Sequence, residues 1–276
     1  MNLLSLTVLS DNDGFFSYPS GICLDMQAKV LYIADMHGSR ICSLTQGGIK
    51  SALPNTTANG DTLCKPLAVC IAPDQTLYIA DAGHNRLFRM GPSDPHWLPV
   101  KTRAYSFQLS AGIAVSPEGI LYATDFPENR LVQIAPDGNT AILAEDKTHI
   151  LKPYGICLYQ DKLFYTDTAH MRICAADIKT GEIHPFPCKI ENPIAITLDK
   201  AGNAYISEPK RIHYLDTQKN TLHRILDKES WKVWMRQYGI ENRICHIGAL
   251  CTGKPGELFF TDTIKGCIYR MTMEIH

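Results

Sequence analysis

One feature constrains the fold of this chain more than any other: a single short module is repeated six times along it. Each copy begins with proline or a substitute, continues as a strand of small residues, passes through a turn, and ends in an aromatic strand closed by an acid. The second copy, KPLAVCIAPDQTLYIADAGHNRLFRM, contains all of these parts. Self-similarity at a nearly fixed period indicates a repeat architecture.

The closing acids give the repeat length. Their spacings are 46, 44, 42, 41 and 54 residues, along the series Asp35, Asp81, Asp125, Asp167, Glu208 and Asp262. A period in the forties is typical of a four-stranded propeller blade, whereas helical repeats of this length need apolar residues about 3.6 positions apart, a spacing that is absent. The aromatic runs, such as Leu77-Tyr78-Ile79-Ala80, favour strands. The sequence therefore predicts an all-β fold, a six-bladed β-propeller of four-stranded antiparallel blades.

The two ends of the chain predict how the ring closes. The last copy has almost no sequence left for an outer strand, whereas residues 2–10 form a spare strand before the first copy. An unpaired terminal edge invites association with other chains, so a radial array needs its ends joined. We expect residues 2–10 to complete the last blade, making residues 1–276 a single domain.

Charge and hydropathy exclude several classes of function. The formal net charge is −1, so no whole-chain positive field attracts nucleic acid or anionic lipid. No apolar run of about 18 residues or more is present, so we expect a soluble chain with no membrane partner.

The ten cysteines follow the repeat. Cys23, Cys70, Cys157 and Cys251 occupy one slot, which holds Ala114 and Thr197 in the other two copies. A slot shared by these three residue types favours a small buried side chain, and no Cys-x-x-Cys spacing indicates a metal or redox site. We expect reduced structural thiols and a cytoplasmic location.

The recurring pattern Pro-x-Gly-Ile-x-Leu, Leu-Tyr-Ile-Ala-Asp and Asn-x-Arg-Leu resembles the NHL repeat. Residues 77–90, which contain Ala80-Asp81-Ala82-Gly83-His84-Asn85-Arg86-Leu87, match it best. The resemblance recurs six times in phase over about the whole chain, and it implies a six-bladed propeller. It implies little about function, because propellers host unrelated activities on one architecture.

Some relatives in this family are metal-dependent lyases, such as the peptidyl-amidoglycolate lyase, which place a metal-binding histidine between the proline and the glycine. The residues in that slot here are Ser20, Leu67, Ala111, Tyr154, Ile194 and Ile247. A zinc site needs His, Cys or carboxylate ligands. The resemblance therefore argues against this mechanism, and we predict no metal site.

More distant, gluconolactonase-like relatives hold a divalent cation with a carboxylate at the start of the first inner strand and with Asn and Asp from other blades. This chain has Tyr18-Pro19-Ser20 at that point and lacks the acid. A shifted site could use Asn192, Glu208 or Asp167. The closing acids themselves recur with a downstream arginine at Arg40, Arg86, Arg130 and Arg172, and this pattern favours a structural role.

The spacing of 54 residues marks an insertion before the sixth copy. Asp227 is a suitable helix N-cap, Gly239 is a suitable stop, and Trp231, Trp234, Met235 and Tyr238 follow helical spacing. We predict a short helix over residues 227–239. Its aromatic stripe either packs onto the propeller or forms a lid or docking ridge beside the channel mouth.

In a propeller, the segments leading into the inner strands and the turns between second and third strands share one face, around the mouth of the central channel. The candidate binding residues on this face and on the insertion are Tyr18, Ser20, His37, His84, Phe126, Tyr154, His170, Glu208, Trp231, Trp234 and Tyr238. No catalytic residue can be assigned from the spacing.

These residues favour a non-enzymatic scaffold that binds a protein or peptide partner at the channel mouth without a cofactor. The alternative is a metal-assisted hydrolase or lyase of the gluconolactonase-like type, with a divalent cation at the same face. A second alternative is binding of single-stranded RNA, which the near-neutral charge disfavours. The residues available to RNA are Tyr18, Lys65, Lys152, Tyr154, Lys210 and Arg211.

Overall fold

A computed structural model describes residues 2–11, 13–145, 148–239 and 246–274. It contains six four-stranded antiparallel sheets, each built from consecutive strands except the last. The inner strands of neighbouring sheets contact one another in a ring that runs from the first sheet to the sixth and back to the first. The predicted six-bladed β-propeller is confirmed.

The strands are numbered in chain order. The inner strands are β2 (Pro19–Asp25), β6 (Pro66–Ile71), β10 (Ser110–Val115), β14 (Pro153–Tyr159), β18 (Ile196–Leu198) and β22 (Ile247–Thr252). The second strands are β3 (Val30–Asp35), β7 (Leu77–Asp81), β11 (Leu121–Asp125), β15 (Lys162–Asp167), β19 (Ala204–Glu208) and β23 (Glu257–Asp262). The third strands are β4 (Arg40–Thr45), β8 (Arg86–Met90), β12 (Arg130–Ile134), β16 (Arg172–Asp177), β20 (Arg211–Asp216) and β24 (Cys267–Glu274). The outer strands are β5 (Lys50–Ala52), β9 (Leu98–Pro99), β13 (Thr140–Glu145), β17 (Ile183–Pro185), β21 (Thr221–Leu226) and β1 (Asn2–Ser10).

The amino-terminal strand closes the ring as expected. β1 pairs antiparallel with β24, placing Leu6 opposite Met271 and Val8 opposite Tyr269. Leu6 is 5% exposed and belongs to the apolar cluster between the fifth and sixth blades, whereas Leu4 on the same strand is 61% exposed. The strand therefore supplies both a hydrogen-bonded edge and core side chains.

The hydrophobic core is divided into six clusters, and each lies between two neighbouring blades. The cluster between the first and second blades, for example, joins Ile41 of β4 to Val69 of β6 and Phe88 of β8. Side chains of a strand alternate between the two faces of its sheet, so each blade contributes to the cluster on either side. This packing explains the apolar runs of the central strands.

Antiparallel pairing brings the start of each inner strand beside the end of the second strand, as in the partners Pro19 and Asp35. The turns between second and third strands and the incoming segments before the inner strands consequently share one face, here called the mouth face. Its turns are residues 36–39, 82–85, 126–129, 168–171, 209–210 and 263–266. Its incoming segments are residues 16–18, 63–65, 107–109, 150–152, 190–195 and 246.

The acid that closes each second strand fastens the incoming segment of the same blade. The carboxylate of Asp35 accepts hydrogen bonds from the backbone N–H groups of Ser17 and Tyr18, each at 2.9 Å. The carboxylate of Asp167 accepts one from the N–H of Leu151 at 2.7 Å. The other four acids accept equivalent bonds from Cys64, Leu109, Asn192 and His246. All six acids are at most 4% exposed. We call this arrangement the carboxylate clasp.

The side chain that pairs with the acid differs between blades. Arg40 and Arg172 lie 3.1 and 2.8 Å from Asp35 and Asp167. Asp81 pairs with His84 at 3.0 Å. In the third blade Tyr105 donates to Asp125 at 2.8 Å, and Arg130 pairs with Glu145. In the second and third blades other donors thus occupy the place that arginine takes beside Asp35 and Asp167.

The fifth blade has a shorter turn, and a glutamate replaces aspartate there. Glu208 is 4% exposed, and its carboxylate lies 3.2 Å from both Arg211 and His213. Burial acts to raise the pKa of Glu208, but the contacts with His213 and Arg211 and the N–H of Asn192 outweigh it, so the pKa is lowered. The extra methylene lets the side chain reach the clasp from a turn of only two residues, Pro209 and Lys210.

A second repeated device joins neighbouring blades near the channel. The hydroxyl of Thr124 accepts the N–H of Gly112 at 2.9 Å and donates to the carbonyl of Tyr154, in the next blade, at 3.2 Å. A Cβ atom on Gly112 would lie 2.3 Å from that same carbonyl oxygen, so only glycine permits the approach. Thr166 makes the same bridge between Gly155 and Ile194.

The insertion forms helix α1 (Lys228–Tyr238). The side chain of Asp227 accepts the N–H groups of Glu229 and Ser230, and Gly239 ends the helix in the left-handed conformation. The helix contacts β1 at the outer rim of the ring. A single 3-10 turn spans Thr168–His170.

Within the described residues, no helix has both the length and the apolar character needed to cross a bilayer.

We predict that Leu6→Ala lowers the free energy of unfolding by about 2–5 kcal/mol, because a buried leucine of the closing strand is replaced by a cavity. Leu4→Ala, on the same strand but exposed, should change it by less than about 0.5 kcal/mol. Urea denaturation of both variants measures the difference. Equal losses for the two variants would show that β1 does not close the core.

We also predict that Glu208→Gln destabilises the fold by about 1–3 kcal/mol at pH 7, because the charged clasp loses its carboxylate. The folded pKa of Glu208 is lowered, so its contribution is present above the unfolded value of 4.5 and is lost as pH falls through the folded pKa. The difference between variant and wild type should therefore shrink below about pH 4.5.

Glu191→Gln is the matched control for Glu208→Gln, because Glu191 also contacts Arg211 at 3.2 Å but is exposed. It should cost less than about 1 kcal/mol. Thermal unfolding of the three proteins between pH 3 and pH 7 measures the effect, and a difference that persists unchanged at pH 3 would contradict the clasp.

Candidate functional site

The mouth face carries a cluster of aromatic side chains, here called the mouth cluster: Tyr18, His37, Phe126 and Tyr154. Tyr18 packs against His37 with ring centroids 4.6 Å apart, and Phe126 meets Tyr154 edge to face at 5.9 Å. Tyr18 and Tyr154 belong to the first and fourth blades, which face each other across a six-membered ring.

Tyr154 is a partly buried member of the mouth cluster. Burial, with a smaller contribution from the nearby phenol of Tyr18, raises the pKa of Tyr154 to about 12. The Tyr154 phenol is therefore neutral at physiological pH and can donate or accept a hydrogen bond beside apolar ring faces. The structure thus brings together four of the residues that the sequence nominated.

Two lysines lie on the mouth face at equivalent positions, immediately before the proline of an inner strand. Lys65 and Lys152 are exposed, and both have left-handed backbone conformations with φ of 52° and 54°. The ammonium of Lys152 lies 6.0 Å from the ring centroid of Phe126. Among the residues that the structure describes, neither lysine forms an ion pair, so both charges remain available to a ligand.

Beneath the mouth cluster the central channel is narrow and mostly apolar. Its cavity has a volume of about 80 Å³ and is lined by the first residues of all six inner strands. Ser20 lies in this lining, and its hydroxyl is 3.2 Å from the carbonyl of Ala34 and 3.1 Å from that of Pro66. Ser20 therefore bridges the first two blades, and the channel has room for little more than water.

The other nominated histidines turn toward the clasp. Nδ1 of His84 lies 3.0 Å from Asp81, and Nδ1 of His170 lies 2.8 Å from Asp167. Each histidine therefore contacts the acid of its own blade. Glu208, also nominated, is part of the clasp of the fifth blade.

Metal ligands do not converge on the described part of the mouth face. No group of three or more His, Cys, Asp or Glu side chains is placed to hold a metal ion among residues 2–11, 13–145, 148–239 and 246–274. Asp167 and Glu208, the carboxylates of a shifted cation site, already accept bonds from backbone N–H groups and cationic side chains. The carboxylates and histidines described on this face therefore do not fit the coordination of a divalent cation.

The insertion does not border the channel mouth. Trp231 is 3% exposed and packs edge to face on Phe260 and Tyr269 of the sixth blade. Trp234 is half-buried against the same cluster. Because Trp231 is buried, it cannot contact a partner, and it is removed from the set of candidate binding residues. The helix lies at the outer rim of the ring. The side chain of Tyr238 lies outside the described part of the chain.

The residues that sequence reasoning missed are the bridging hydroxyls. Thr124, Thr166, Ser207 and Thr261 each precede the clasp acid, and each accepts a backbone N–H from the inner strand of its own blade or, for Ser207, from Ala195 just before it. Through its second bond, the Thr124 hydroxyl fixes the backbone of Tyr154. The recurrence of Thr or Ser before the acid was the available signal.

Of the described cysteines, Cys42, Cys174, Cys251 and Cys267 are buried and the others are partly buried. The nine that the structure describes are free thiols. Burial raises the pKa of Cys42 and of Cys157 to about 11, so both stay protonated and poorly nucleophilic at neutral pH.

No known protein family and no curated protein matches this sequence. Several solved structures match its fold. A gluconolactonase from Xanthomonas campestris is 15% identical, covers 99% of this chain and 91% of its own, and superposes with a TM-score of 0.77. Virginiamycin B lyase from Staphylococcus aureus is 17% identical over 98% of this chain and 99% of its own, with a TM-score of 0.69.

A chain from a nidogen/laminin complex is 19% identical over 75% of this chain and 79% of its own, with a TM-score of 0.64. At these identities the similarity shows the fold alone. The chain thus shares its six-bladed propeller with enzymes and with a component of a protein complex, and its function has to be argued from its own residues.

Proposed function

We propose that this propeller is a binding scaffold that recognises a protein or peptide partner with the mouth face. The observation that carries the proposal is the mouth cluster, in which Tyr18 and Tyr154 approach from opposite blades. Lys65 and Lys152 lie on the same face, and neither forms an ion pair with a residue that the structure describes. Aromatic side chains bordered by available charges are typical of the centre of a protein interface.

Rigidity supports the same proposal. The incoming segment that carries Tyr18 is held by two hydrogen bonds to Asp35, and the backbone of Tyr154 is held by Thr124. A surface fixed before binding loses little conformational entropy when a partner docks. The nidogen/laminin structure offers a precedent for a propeller of this fold in a protein complex.

The enzymatic alternative would place a divalent cation at the same face, as the resemblance to gluconolactonase-like propellers suggests. The carboxylates described there are already engaged in the clasp, and the described channel lining is mainly apolar. The RNA alternative needs a continuous basic groove. Arg211, one of its candidates, is tied to Glu191 and Glu208. We therefore favour the protein or peptide partner.

Two finer expectations belong to this proposal. The free thiols suit a reducing compartment, so we place the protein in the cytoplasm. The repeat pattern also leads us to propose an NHL-type propeller, with no cofactor in its binding function.

We predict that Tyr154→Ala weakens the binding of peptides selected on the wild-type protein by about thirtyfold, which corresponds to about 2 kcal/mol at an interface hot spot. Peptides would be selected from a random display library and their dissociation constants measured by fluorescence polarisation. Tyr159→Ala is the matched control, because Tyr159 ends the same strand at the opposite face. It should leave affinity unchanged. Selected peptides that bind the two variants equally well would refute the mouth face as the binding surface.

We further predict that Mg²⁺, Ca²⁺, Mn²⁺ and Zn²⁺ leave the thermal unfolding midpoint unchanged. A cation that binds the folded state at 100 times its dissociation constant would stabilise it by about 2.7 kcal/mol. A thermal-shift series, with metal analysis of the purified protein, measures this. A stoichiometric ion that raises the midpoint would favour the hydrolase or lyase instead.

A further inference from the structure

A cavity of about 530 Å³ opens at the outer rim between the fifth and sixth blades, on the flank of the ring. Its walls come from the outer strand of each blade, with Leu3 of β1 and Ile225 of β21, and from Trp234 of helix α1. Volumes of about 300–1,000 Å³ are typical of small-molecule sites. None of these residues belongs to the mouth cluster.

The insertion explains why a cavity exists here. Trp231 fills the space between the two blades by packing on Tyr269, and it closes the cluster from one side. Trp234, one helical turn later, lies half-buried over the remaining space and forms one of its walls. The helix that breaks the repeat therefore creates this site.

The lining suits a flat apolar group. Tyr214 and His223 are partners across β20 and β21, and their ring centroids are 6.4 Å apart at an interplanar angle of 37°. Leu3, Met273 and Trp234 supply further apolar surface. Aromatic rings bind well between such surfaces, because stacked and edge-to-face contacts add to the burial of apolar area.

The charges of the lining favour an anion. Its charged residues are Asp216, Lys219 and Arg224, which leave one net positive charge. Asp216 is neutralised by Lys219 at 3.2 Å. Among the described residues, Arg224 forms one ion pair, with Asp227 at 3.7 Å, and that carboxylate already caps helix α1. The guanidinium has five N–H donors in a fork that matches a carboxylate or sulfonate, so donors remain for a ligand.

We propose that this rim cavity binds a small molecule with a flat apolar or aromatic body and a single anionic group, with Arg224 contacting the anion and Trp234, Tyr214 and His223 contacting the ring. The site is separate from the mouth cluster, so this proposal does not depend on the proposed scaffold function.

The test uses two fluorescent probes on the full-length protein, anilinonaphthalene sulfonate and its neutral analogue N-phenylnaphthylamine. We expect each to bind saturably at one site per chain. Thr221→Trp, which fills the cavity from an exposed position on β21, should weaken both probes at least about tenfold. Arg224→Gln should weaken the sulfonate about tenfold and leave the neutral probe unchanged.

Arg89→Gln, an exposed arginine on β8 of the second blade, is the control and should change neither affinity. Thermal unfolding and circular dichroism check that all variants are folded. Wild-type affinity in Thr221→Trp, or no saturable binding of either probe to the wild type, would overturn the site. An equal effect of Arg224→Gln on both probes, or no effect on either, would overturn the assignment of the anion to Arg224.

Discussion

A buried carboxylate at the end of each second strand is the constraint on which the rest of this structure depends. Burying a charge is unfavourable unless the group is fully hydrogen-bonded, and each acid here meets that condition with the N–H groups of the segment leading into its own inner strand. The acid therefore fixes the end of the segment that leads into the inner strand at the channel. Because those segments form part of the mouth face, the same bonds that stabilise the fold also hold the candidate site rigid.

The repeat made the architecture predictable, because a period in the forties, aromatic strands and a spare amino-terminal strand allow few closed arrangements. The structural role of the acids was also predictable, since a side chain written six times serves the shared fold. Their partners were not, because His84 and Tyr105 reach Asp81 and Asp125 from positions that only the three-dimensional turn brings near. Similarly, the helical spacing of the insertion indicated an aromatic stripe along one side of a helix. It could not show that Trp231 of this stripe packs on Tyr269 at the outer rim of the ring.

The two proposed binding surfaces lie where the chain departs from the repeat. The slot between proline and glycine holds Tyr154 in one blade and aliphatic residues or serine elsewhere, and the position before the proline holds Tyr18, Lys65 and Lys152. These differences turn a symmetric channel mouth into an asymmetric surface with two phenols and two ammonium groups that form no ion pair with the described residues. The inserted helix breaks the symmetry a second time, on the flank. One ring thus carries both of the surfaces proposed to bind ligands.

Native-state hydrogen exchange tests the central claim most directly, because it reports whether the clasp holds the mouth face. The account predicts that the amide of Leu151, bonded to buried Asp167, exchanges as slowly as strand amides, and that Asp167→Asn abolishes this protection. The amide of Asn139, which donates at 2.9 Å to the exposed Asp137, should exchange quickly. Exchange of Leu151 at the rate of Asn139 would contradict the account, since the segments bearing the candidate site would then be free to open.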